Sequence, residues 1–298
     1  MYKKILVIGI GYIGNRVIRQ LKQKGFEVEI YDIVFGQDLL DREQLEAAIR
    51  RNDVVLLIAA IADLNIFEDF PLRGMNVNVW GVVLAANYCA KHKIRLYYIS
   101  TCCVYGNTLD LPSNEESRVE PSEIYACAKL AGEWIIKGYH KSFGLEYVIL
   151  RIPTTFGSIE MRDSLAPAIF IGKILSDEPI EIHGDGKQTR TLTYIDDTVN
   201  GIVSALEHPE VINETINIST TEELSVLDWV NIIEEETREF RGGNPAVSKL
   251  VEDRKGQTFK EQIDVSKAKE LLGWEAEISF REGIKRTLSE MQEVWKNE

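Results

Sequence analysis

A glycine-rich turn near the start of the chain is the feature that most constrains its fold. The β-branched run KILVIG predicts a buried strand, and it leads directly into GIGYIG at residues 9–14. From Ile13 to Lys24 the apolar residues recur at helical spacing. A strand, a tight turn and a helix in this order predict the first half of a βαβ unit.

The same alternation continues as far as Arg151. The apolar runs EVEIYD, VVLLIAA, LYYIS and YVILR predict further strands, while DREQLEAAIRR, with Asp41 as its N-cap, and VNVWGVVLAANYCAKH predict helices. Continuous apolar strands must be covered on both faces, which is typical of parallel sheets. We therefore predict an α/β fold built on a Rossmann-type doubly wound parallel sheet. The alternation weakens after Arg151, which predicts a smaller interleaved C-terminal substrate lobe.

The glycines have the spacing of a dinucleotide site. Gly9 allows a tight turn, Gly11 lets a pyrophosphate approach the backbone, and Gly14 permits close packing of the helix, whose N-terminus attracts an anion. Asp32 ends the second predicted strand at the spacing expected for an acid that holds a ribose hydroxyl. Residues 33–37 contain no Arg or Lys to receive a 2′-phosphate, which favours NAD over NADP.

Composition excludes several classes of function. The chain has 298 residues and 45% hydrophobic content, enough for a full core, and its net charge of -13 argues against nucleic-acid binding. We expect no membrane span, because no run of 18 apolar residues occurs, and no export signal, so the predicted location is cytoplasmic. The cysteines lack CxxC spacing and the histidines are scattered, so we expect reduced thiols and no metal site. These residues are Cys89, Cys102, Cys103, Cys127, His92, His140, His183 and His208.

Tyr125 and Lys129, in YACAK, are spaced to share one face of a helix. A tyrosine has a pKa of about 10, so a phenolate near neutral pH needs roughly 4 kcal/mol of stabilisation. An ammonium at about 4 Å, at an effective dielectric near 20, supplies roughly that much. With 11 tyrosines in the chain, an accidental pair of this spacing would also be unsurprising.

The helix that carries this pair is predicted to begin after Pro121, with Ser122 as its cap, and to end near Gly144. Its apolar residues at helical spacing predict the side that faces the sheet. This predicted inward stripe consists of Ile124, Ala128, Ala131 and Ile135.

Together these motifs resemble the extended short-chain dehydrogenase/reductases, and most closely the nucleotide-sugar epimerases and dehydratases. The resemblance rests on GIGYIG, GQDLLD, LLIAAIAD, NVWG, ISTCCVYG, YACAK, LRIPTTFG, GDGKQTRTLTYIDD and RKGQ…IDVSKAKELLGW, in this order across nearly the whole chain. It implies NAD as cofactor and a nucleotide sugar as substrate. Residues 1–155 plus about 192–222 would form the NAD-binding domain, and about 156–191 plus 223–298 the nucleotide-sugar lobe.

The resemblance also implies roles for individual residues. The catalytic set would be Thr101, Tyr125 and Lys129, with Tyr125 as the base. Cofactor contacts, to which Tyr125 and Lys129 also contribute, would come from Gly9, Gly11, Tyr12, Ile13, Gly14, Asp32, Asp38, Leu39, Ala59, Ala60 and Asn78. Substrate contacts would come from Thr101, Cys102, Cys103, Thr154, Arg190 and Arg254, with the two arginines directed at the nucleotide diphosphate.

The chain also departs from the family pattern. Val7 and Ile8 precede the glycines in place of the usual Thr-Gly start. Cys102 and Cys103 replace the Asp-Glu pair of the 4,6-dehydratases and the acid of the uronic acid decarboxylases; we interpret them as packing residues beside the sugar, although a thiol could in principle shuttle a proton. Further differences, which bear on substrate identity, are Thr154 for an asparagine and Lys255 and Gln257 within the usual RPGD.

We therefore predict an NAD-dependent nucleotide-sugar 4-epimerase, with UDP as the nucleotide, that works through a transient 4-keto sugar. The alternatives are a dehydrogenase, a 4-keto reductase or a dehydratase on the same scaffold. A noncatalytic NAD-sensing regulator is a further alternative, although such proteins tend to lose the Tyr and Lys that this chain keeps. In relatives the helices around NVWGVVLAANYCAKH and YACAKLAGEWIIKGYH pair across a dimer, which implies a homodimer here.

Overall fold

The computed structural model describes residues 2–161, 163, 165–241, 246–252 and 258–297. Its strands are β1 (Lys4–Ile8), β2 (Glu27–Tyr31), β3 (Val54–Leu57), β4 (Arg95–Thr101), β5 (Tyr147–Ile152), β6 (Thr154–Phe156), β7 (Ile180–His183), β8 (Thr189–Tyr194), β9 (Glu214–Asn217), β10 (Glu223–Ser225) and β11 (Ser248–Val251). Its α-helices are α1 (Tyr12–Gln23), α2 (Arg42–Ile49), α3 (Leu64–Asp69), α4 (Pro71–Met75), α5 (Gly81–His92), α6 (Ile124–Phe143), α7 (Ala166–Leu175), α8 (Ile195–Glu207), α9 (Val226–Arg241), α10 (Ser266–Leu272) and α11 (Phe280–Asn297).

Six parallel strands form the central sheet in the order β2-β1-β3-β4-β5-β9. All residues of β3 and β5 are buried, because helices cover both faces of the sheet, as their apolar sequences require. From β1 the chain first places β2 on one side of that strand. It then returns to place β3 on the opposite side of β1, and the sheet grows in that direction. This reversal opens a crevice at the carboxyl ends of β1 and β3, where ligands bind in open α/β sheets. The predicted Rossmann-type fold is confirmed.

The second half of the chain adds two small sheets, β10-β8-β6 and β11-β7. Their apolar residues belong to the same buried cluster as one face of the central sheet: Ile182 and Trp229 share it with Val7 and Leu150. The added segment therefore packs against the sheet through a continuous core. The predicted domain boundaries stay a prediction.

Helix α6 differs from its predicted form. Glu123, not Ser122, occupies the N-cap position, and its side chain makes no capping hydrogen bond. Of the predicted inward stripe only Ala128 is buried; Ile124 is 41% exposed, and Ala131 and Ile135 are half-buried.

The face of α6 that meets the sheet is partly polar. Besides alanines and Ile136 it carries Lys129, Gly132 and Glu133, all buried. A Cβ on Gly132 would lie 2.6 Å from the Tyr98 hydroxyl, so glycine lets this tyrosine of β4 approach the helix. The apolar pattern failed here because polar groups with partners in the core occupy the inner face.

The Asp41 cap of α2 is confirmed, since its carboxylate accepts the N–H groups of Glu43 and Gln44 at 3.1 Å. Among the helices in the described part of the chain, none is both long enough and apolar enough to cross a bilayer.

Candidate active site

A cavity of about 950 Å³ opens at the carboxyl ends of the central strands. Its wall is built from the glycine turn after β1, the segments that follow β2 and β3, and the start of α6. The volume lies within the range of about 300–1,000 Å³ that is typical of ligand pockets. The topological crevice is therefore a pocket large enough for a sizeable ligand.

The glycine turn is shaped by two close contacts and one open face. Gly9 has a φ of 103°, and a Cβ there would lie 2.5 Å from the Ala59 nitrogen. A Cβ on Gly14 would overlap the carbonyl oxygen of Gly9. At Gly11, by contrast, a Cβ would meet no protein atom within 4 Å. The side of the turn that faces the cavity is thus bare backbone.

Helix α1 starts at this turn. No side chain caps its N-terminal N–H groups, and its first turn contains no acidic residue. A bare turn beside a helix N-terminus fits the pyrophosphate of NAD. Asp32 lines the adjoining wall, where its carboxylate also accepts the N–H groups of Ile10 at 2.8 Å and Val34 at 2.9 Å. The acid therefore fixes the shape of the turn as well as facing the pocket.

Most of the predicted cofactor residues lie in the cavity wall. They are Gly9, Gly11, Tyr12, Ile13, Asp32, Asp38, Leu39, Ala59, Ala60, Tyr125 and Lys129. Gly14 packs beneath the turn instead. Asn78 is buried behind the wall, where its amide exchanges hydrogen bonds of 2.8 and 2.9 Å with the backbone of Ile61, a wall residue.

Tyr125 and Lys129 both line this cavity, as does the glycine turn. The Lys129 side chain is buried at 2% exposure, and its Nζ lies 4.3 Å from the centroid of the Tyr98 ring. Burial lowers the pKa of Lys129 to about 7, while the negative charge of Glu133 opposes this shift. The half-buried ring of Tyr125 packs edge-to-face on Phe67, with 6.3 Å between ring centroids.

The predicted substrate residues Thr101, Cys102 and Cys103 lie where β4 ends in a 3-10 helix over Cys102–Tyr105. The Thr101 hydroxyl accepts the Cys103 N–H at 3.2 Å. Both thiols are free; burial raises the pKa of Cys103 to about 12 and that of Cys102 well above its usual range, with Glu261 adding to both shifts. Neither thiol is a proton carrier at neutral pH, which favours the packing role.

Arg190 lies on β8 and donates to the carbonyl of Thr189 at 2.7 Å. Its charge lowers the pKa of Cys103, in opposition to burial, so the two side chains are neighbours. Thr154 is the first residue of β6, next to β8 in the small sheet. Arg254 lies outside the described residues, as do Lys255 and Gln257.

Sequence reasoning missed three groups at the site. Arg73 of α4 lines the cavity, is exposed, and makes no hydrogen bond or ion pair with the residues that the structure describes. Ser100 also lines the cavity, and it contacts the buried pair of Glu133 and Arg151. The spacing Lys129-x-x-x-Glu133 is a sequence signal that could have placed Glu133 on the same helix face as Lys129. No sequence pattern indicates that Arg73 would line the site. Within the described ranges no group of three or more His, Cys, Asp or Glu residues is placed to hold a metal ion.

The sequence profile of the NAD dependent epimerase/dehydratase family matches residues 5–219. The chain belongs to this family. The resemblance to the extended short-chain dehydrogenase/reductases and the predicted NAD cofactor are thereby confirmed. The protein is thus an enzyme of an NAD-dependent family whose members include nucleotide-sugar epimerases.

Two relatives and one solved structure illustrate the range of similar proteins. A putative UDP-glucose 4-epimerase of Methanocaldococcus jannaschii is 31% identical, over 95% of this chain and 96% of its own. UDP-glucuronic acid decarboxylase 1 of Arabidopsis thaliana is 27% identical, over 97% of this chain and 70% of its own. The structure of UDP-glucuronic acid 4-epimerase from Bacillus cereus, in complex with UDP-glucuronic acid and NAD, has a TM-score of 0.87 at 28% identity, covering 98% of this chain and 99% of that one.

Substitution of the two glycines by alanine separates packing from ligand access. Gly14→Ala should destabilise the protein by about 3 kcal/mol or more, because the new methyl group meets a backbone oxygen that cannot move aside. Gly11→Ala should leave stability within about 0.5 kcal/mol of wild type but weaken NAD binding at least tenfold, because its methyl group projects into the cavity. Denaturant unfolding without NAD and calorimetric titration with NAD measure the two effects. Wild-type NAD affinity in Gly11→Ala would show that the pyrophosphate binds elsewhere.

Replacement of Lys129 by Met should expose the cost of burying the amine. The lysine pKa is 10.5 ordinarily and about 7 in the fold, so between these values the unfolded chain holds a proton that the folded protein lacks. The wild-type free energy of unfolding therefore rises with pH across this window. The cost at neutral pH is roughly 4 kcal/mol, and it vanishes at high pH, where the amine is neutral in both the folded and the unfolded chain.

We expect Lys129→Met to stabilise the protein by on the order of 4 kcal/mol at neutral pH, with the gain shrinking toward zero above about pH 10. Denaturation at a series of pH values measures it. Lys141→Met, on an exposed position of the same helix, is the matched control and should show no such trend. A pH-independent effect of Lys129→Met would contradict the burial cost.

Proposed function

We propose that the protein is an NAD-dependent UDP-sugar 4-epimerase in which Tyr125 is the acid–base group. The observation that carries this proposal is the placement of Tyr125 and Lys129 on the wall of the cavity that the glycine turn also lines. A base must lie within reach of the group that accepts hydride, and one shared cavity meets this requirement. UDP is proposed because UDP-sugars appear in the names of the relatives.

NAD, when bound, supplies a reversible hydride acceptor for the carbon that bears the sugar 4-hydroxyl. Tyr125 takes the proton of that hydroxyl and later returns it. Lys129 stabilises the phenolate through its positive charge. Since hydride is returned to the other face of the sugar, the reaction has no net redox change.

Thr101 is proposed to hold the sugar hydroxyl that reacts. Its oxygen accepts the Cys103 N–H at 3.2 Å, and a hydroxyl in this position can also donate its own hydrogen to a ligand. Arg190 and Arg254 are proposed to bind the diphosphate of the sugar nucleotide, since guanidinium groups bind phosphate oxygens in a bidentate manner. Cys102 and Cys103 are proposed as packing groups beside the sugar.

The main rivals are other reactions on the same scaffold. Elimination or decarboxylation of the sugar is disfavoured because a high-pKa thiol, Cys103, occupies a position where those enzymes have an acid. A dehydrogenase would accumulate NADH in proportion to product, and a 4-keto reductase would consume it. A noncatalytic NAD-sensing regulator would bind NAD and turn nothing over.

The direct test is turnover of a panel of UDP-, dTDP-, GDP- and CDP-sugars, with and without a carboxylate or N-acetyl group, followed by proton NMR without added NAD(P)H. We expect 4-epimers from at least one UDP-sugar and no build-up of NADH. Failure of every donor to epimerise, together with NADH release, would overturn the proposal.

Tyr125→Phe should lower kcat by about 10²–10⁴-fold, the range expected for loss of a general acid–base group. NAD affinity should stay within a few-fold of wild type, because the ring and its packing on Phe67 are retained. Steady-state kinetics and calorimetric titration provide the two measurements. Wild-type turnover in this variant would rule out Tyr125 as the proton acceptor.

We also propose a homodimer that pairs through α5 and α6. The outer face of α6 carries an apolar row at helical spacing, Ile124, Ala131 and Trp134, with Trp134 60% exposed. Two of these residues, Ile124 and Ala131, belong to the stripe that was predicted to face the sheet. The helix therefore has a second apolar face in addition to the one that packs on the sheet. A partner helix would cover that face.

Trp134→Glu should convert the dimer to a monomer, because it places a charge in the centre of the proposed interface. Leu109→Glu is the matched control: it replaces a fully exposed apolar residue away from both helices. Light scattering coupled to size-exclusion chromatography measures the mass of each. A monomeric wild type, or a Trp134→Glu variant that stays dimeric, would contradict this interface.

A further inference from the structure

A buried ion pair lies one helical turn from Lys129. Both carboxylate oxygens of Glu133 bind the Arg151 guanidinium of β5, with Oε1 3.0 Å from Nε and Oε2 2.7 Å from Nη2. The Ser100 hydroxyl donates to the same carboxylate at 2.5 Å. Both charged side chains are buried, at 1% and 3% exposure.

The orientation of the pair is fixed by its other partners. Arg151 Nη1 donates to the Tyr105 hydroxyl at 3.0 Å, and that hydroxyl donates to Asn217 at 2.7 Å. The guanidinium also lies 4.9 Å from the centroid of the Tyr105 ring. The guanidinium is therefore held in place by Tyr105. The carboxylate accepts a hydrogen bond from Ser100 of the cavity wall, and Glu133 lies one turn after Lys129 on α6.

Stability alone does not explain such a pair. Removing two charges from water costs several kcal/mol per ion, and well-packed apolar residues in their place are often as stable or more so. Among the described residues, Tyr125 and Glu133 of α6 and Tyr98 of β4 lie around the Lys129 amine. Behind Glu133 lies Arg151 of β5, and the pair also interacts with Lys137 and Glu115. Glu133 is the anion that acts on the amine, where its charge favours the protonated form.

We propose that Glu133 and Arg151 are positioning residues that set the protonation of Lys129, and through it the basicity of Tyr125. This inference rests on the proposed function. Glu133 holds a negative charge near the amine, and the guanidinium of Arg151 offsets part of that charge. In the proposed site the charge of Lys129 stabilises a phenolate at Tyr125, so a change in the local field should move both ionisations in the same direction.

A purely structural pair and a field-setting pair respond differently to the loss of one charge. If the pair only holds α6 to β5, Glu133→Gln and Arg151→Gln should both weaken the fold and leave the titration of Lys129 in place. If the pair sets the field, Glu133→Gln leaves the Arg151 cation without its carboxylate partner, and Arg151→Gln leaves the Glu133 anion without its guanidinium partner. The two variants should then move the titration of Lys129 in opposite directions.

The measurement is an NMR titration of isotope-labelled lysine in the full chain, with the Lys129 signal assigned by its loss in Lys129→Met. We expect the midpoint to fall in Glu133→Gln and to rise in Arg151→Gln, by at least about half a pH unit each. Arg151→Lys keeps the charge and should stay near the wild-type midpoint. Shifts of the same sign, or no shift in either variant, would overturn the proposal.

A variant with one buried charge removed can fail to fold, so the double variant Glu133→Met/Arg151→Met is measured as well, because it leaves no unpaired ion. Its midpoint should lie below that of wild type, because Glu133 is nearer to the amine than Arg151 and its loss has the larger effect. An unchanged midpoint would contradict the proposal.

The pH profile of kcat/KM should follow the NMR shifts in each variant. Opposite NMR shifts without any epimerase activity would contradict the proposed function, whereas normal turnover with unshifted midpoints would contradict only the role of the pair.

Discussion

The site depends on the burial of the Lys129 amine, which is shielded from water beside the ligand cavity. Burial disfavours the charge of the amine, so its pKa falls to about 7. The same lack of water strengthens the attraction between this charge and a phenolate at Tyr125. In the proposed mechanism a proton that leaves one of these two groups alters the ionisation of the other, and the charges of nearby residues set the pH at which both titrate.

The fold creates this environment through ordinary packing. Strand β4 brings Tyr98 beneath the helix, and Gly132 leaves room for its hydroxyl. Tyr98 then covers one side of the Lys129 amine, while the cavity lies on another. The same sheet ends present the glycine turn, whose shape depends on close contact between Gly14 and the carbonyl of Gly9. The candidate cofactor site and the proposed base thus both depend on the arrangement of one parallel sheet.

The sequence predicted well what depends on local pattern. The apolar strands, the glycine turn and the Asp41 cap each involve residues close together in the chain, and the structure contains all three. The inner face of α6 was predicted wrongly, because its buried positions include Lys129 and Glu133, which only distant partners make tolerable. Periodicity assigns apolar residues to the core, and here it selected Ile124, which is exposed, and Ala131, which lies on the outer face, together with the buried Ala128.

Other features could not be predicted because they arise from chain segments far apart in sequence. The network of Ser100, Glu133 and Arg151 joins two strands and a helix, so the spacing of Lys129 and Glu133 indicates a polar helix face without identifying its partners. Arg73 of α4 lines the cavity together with residues of the glycine turn, from which it is about 60 positions away in the chain. The high pKa of Cys103 depends on burial and on Glu261, more than 150 residues away. Each of these is a tertiary property.

The most direct test of the central claim is an ultraviolet difference titration of Tyr125 in the NAD-bound protein, taken as the signal of wild type minus that of Tyr125→Phe. We predict that the phenol of wild type ionises near neutral pH, and that in a Lys129→Met background the same signal moves up toward the ordinary tyrosine value of about 10. Ionisation at the same pH in both backgrounds would show that the amine does not create the base.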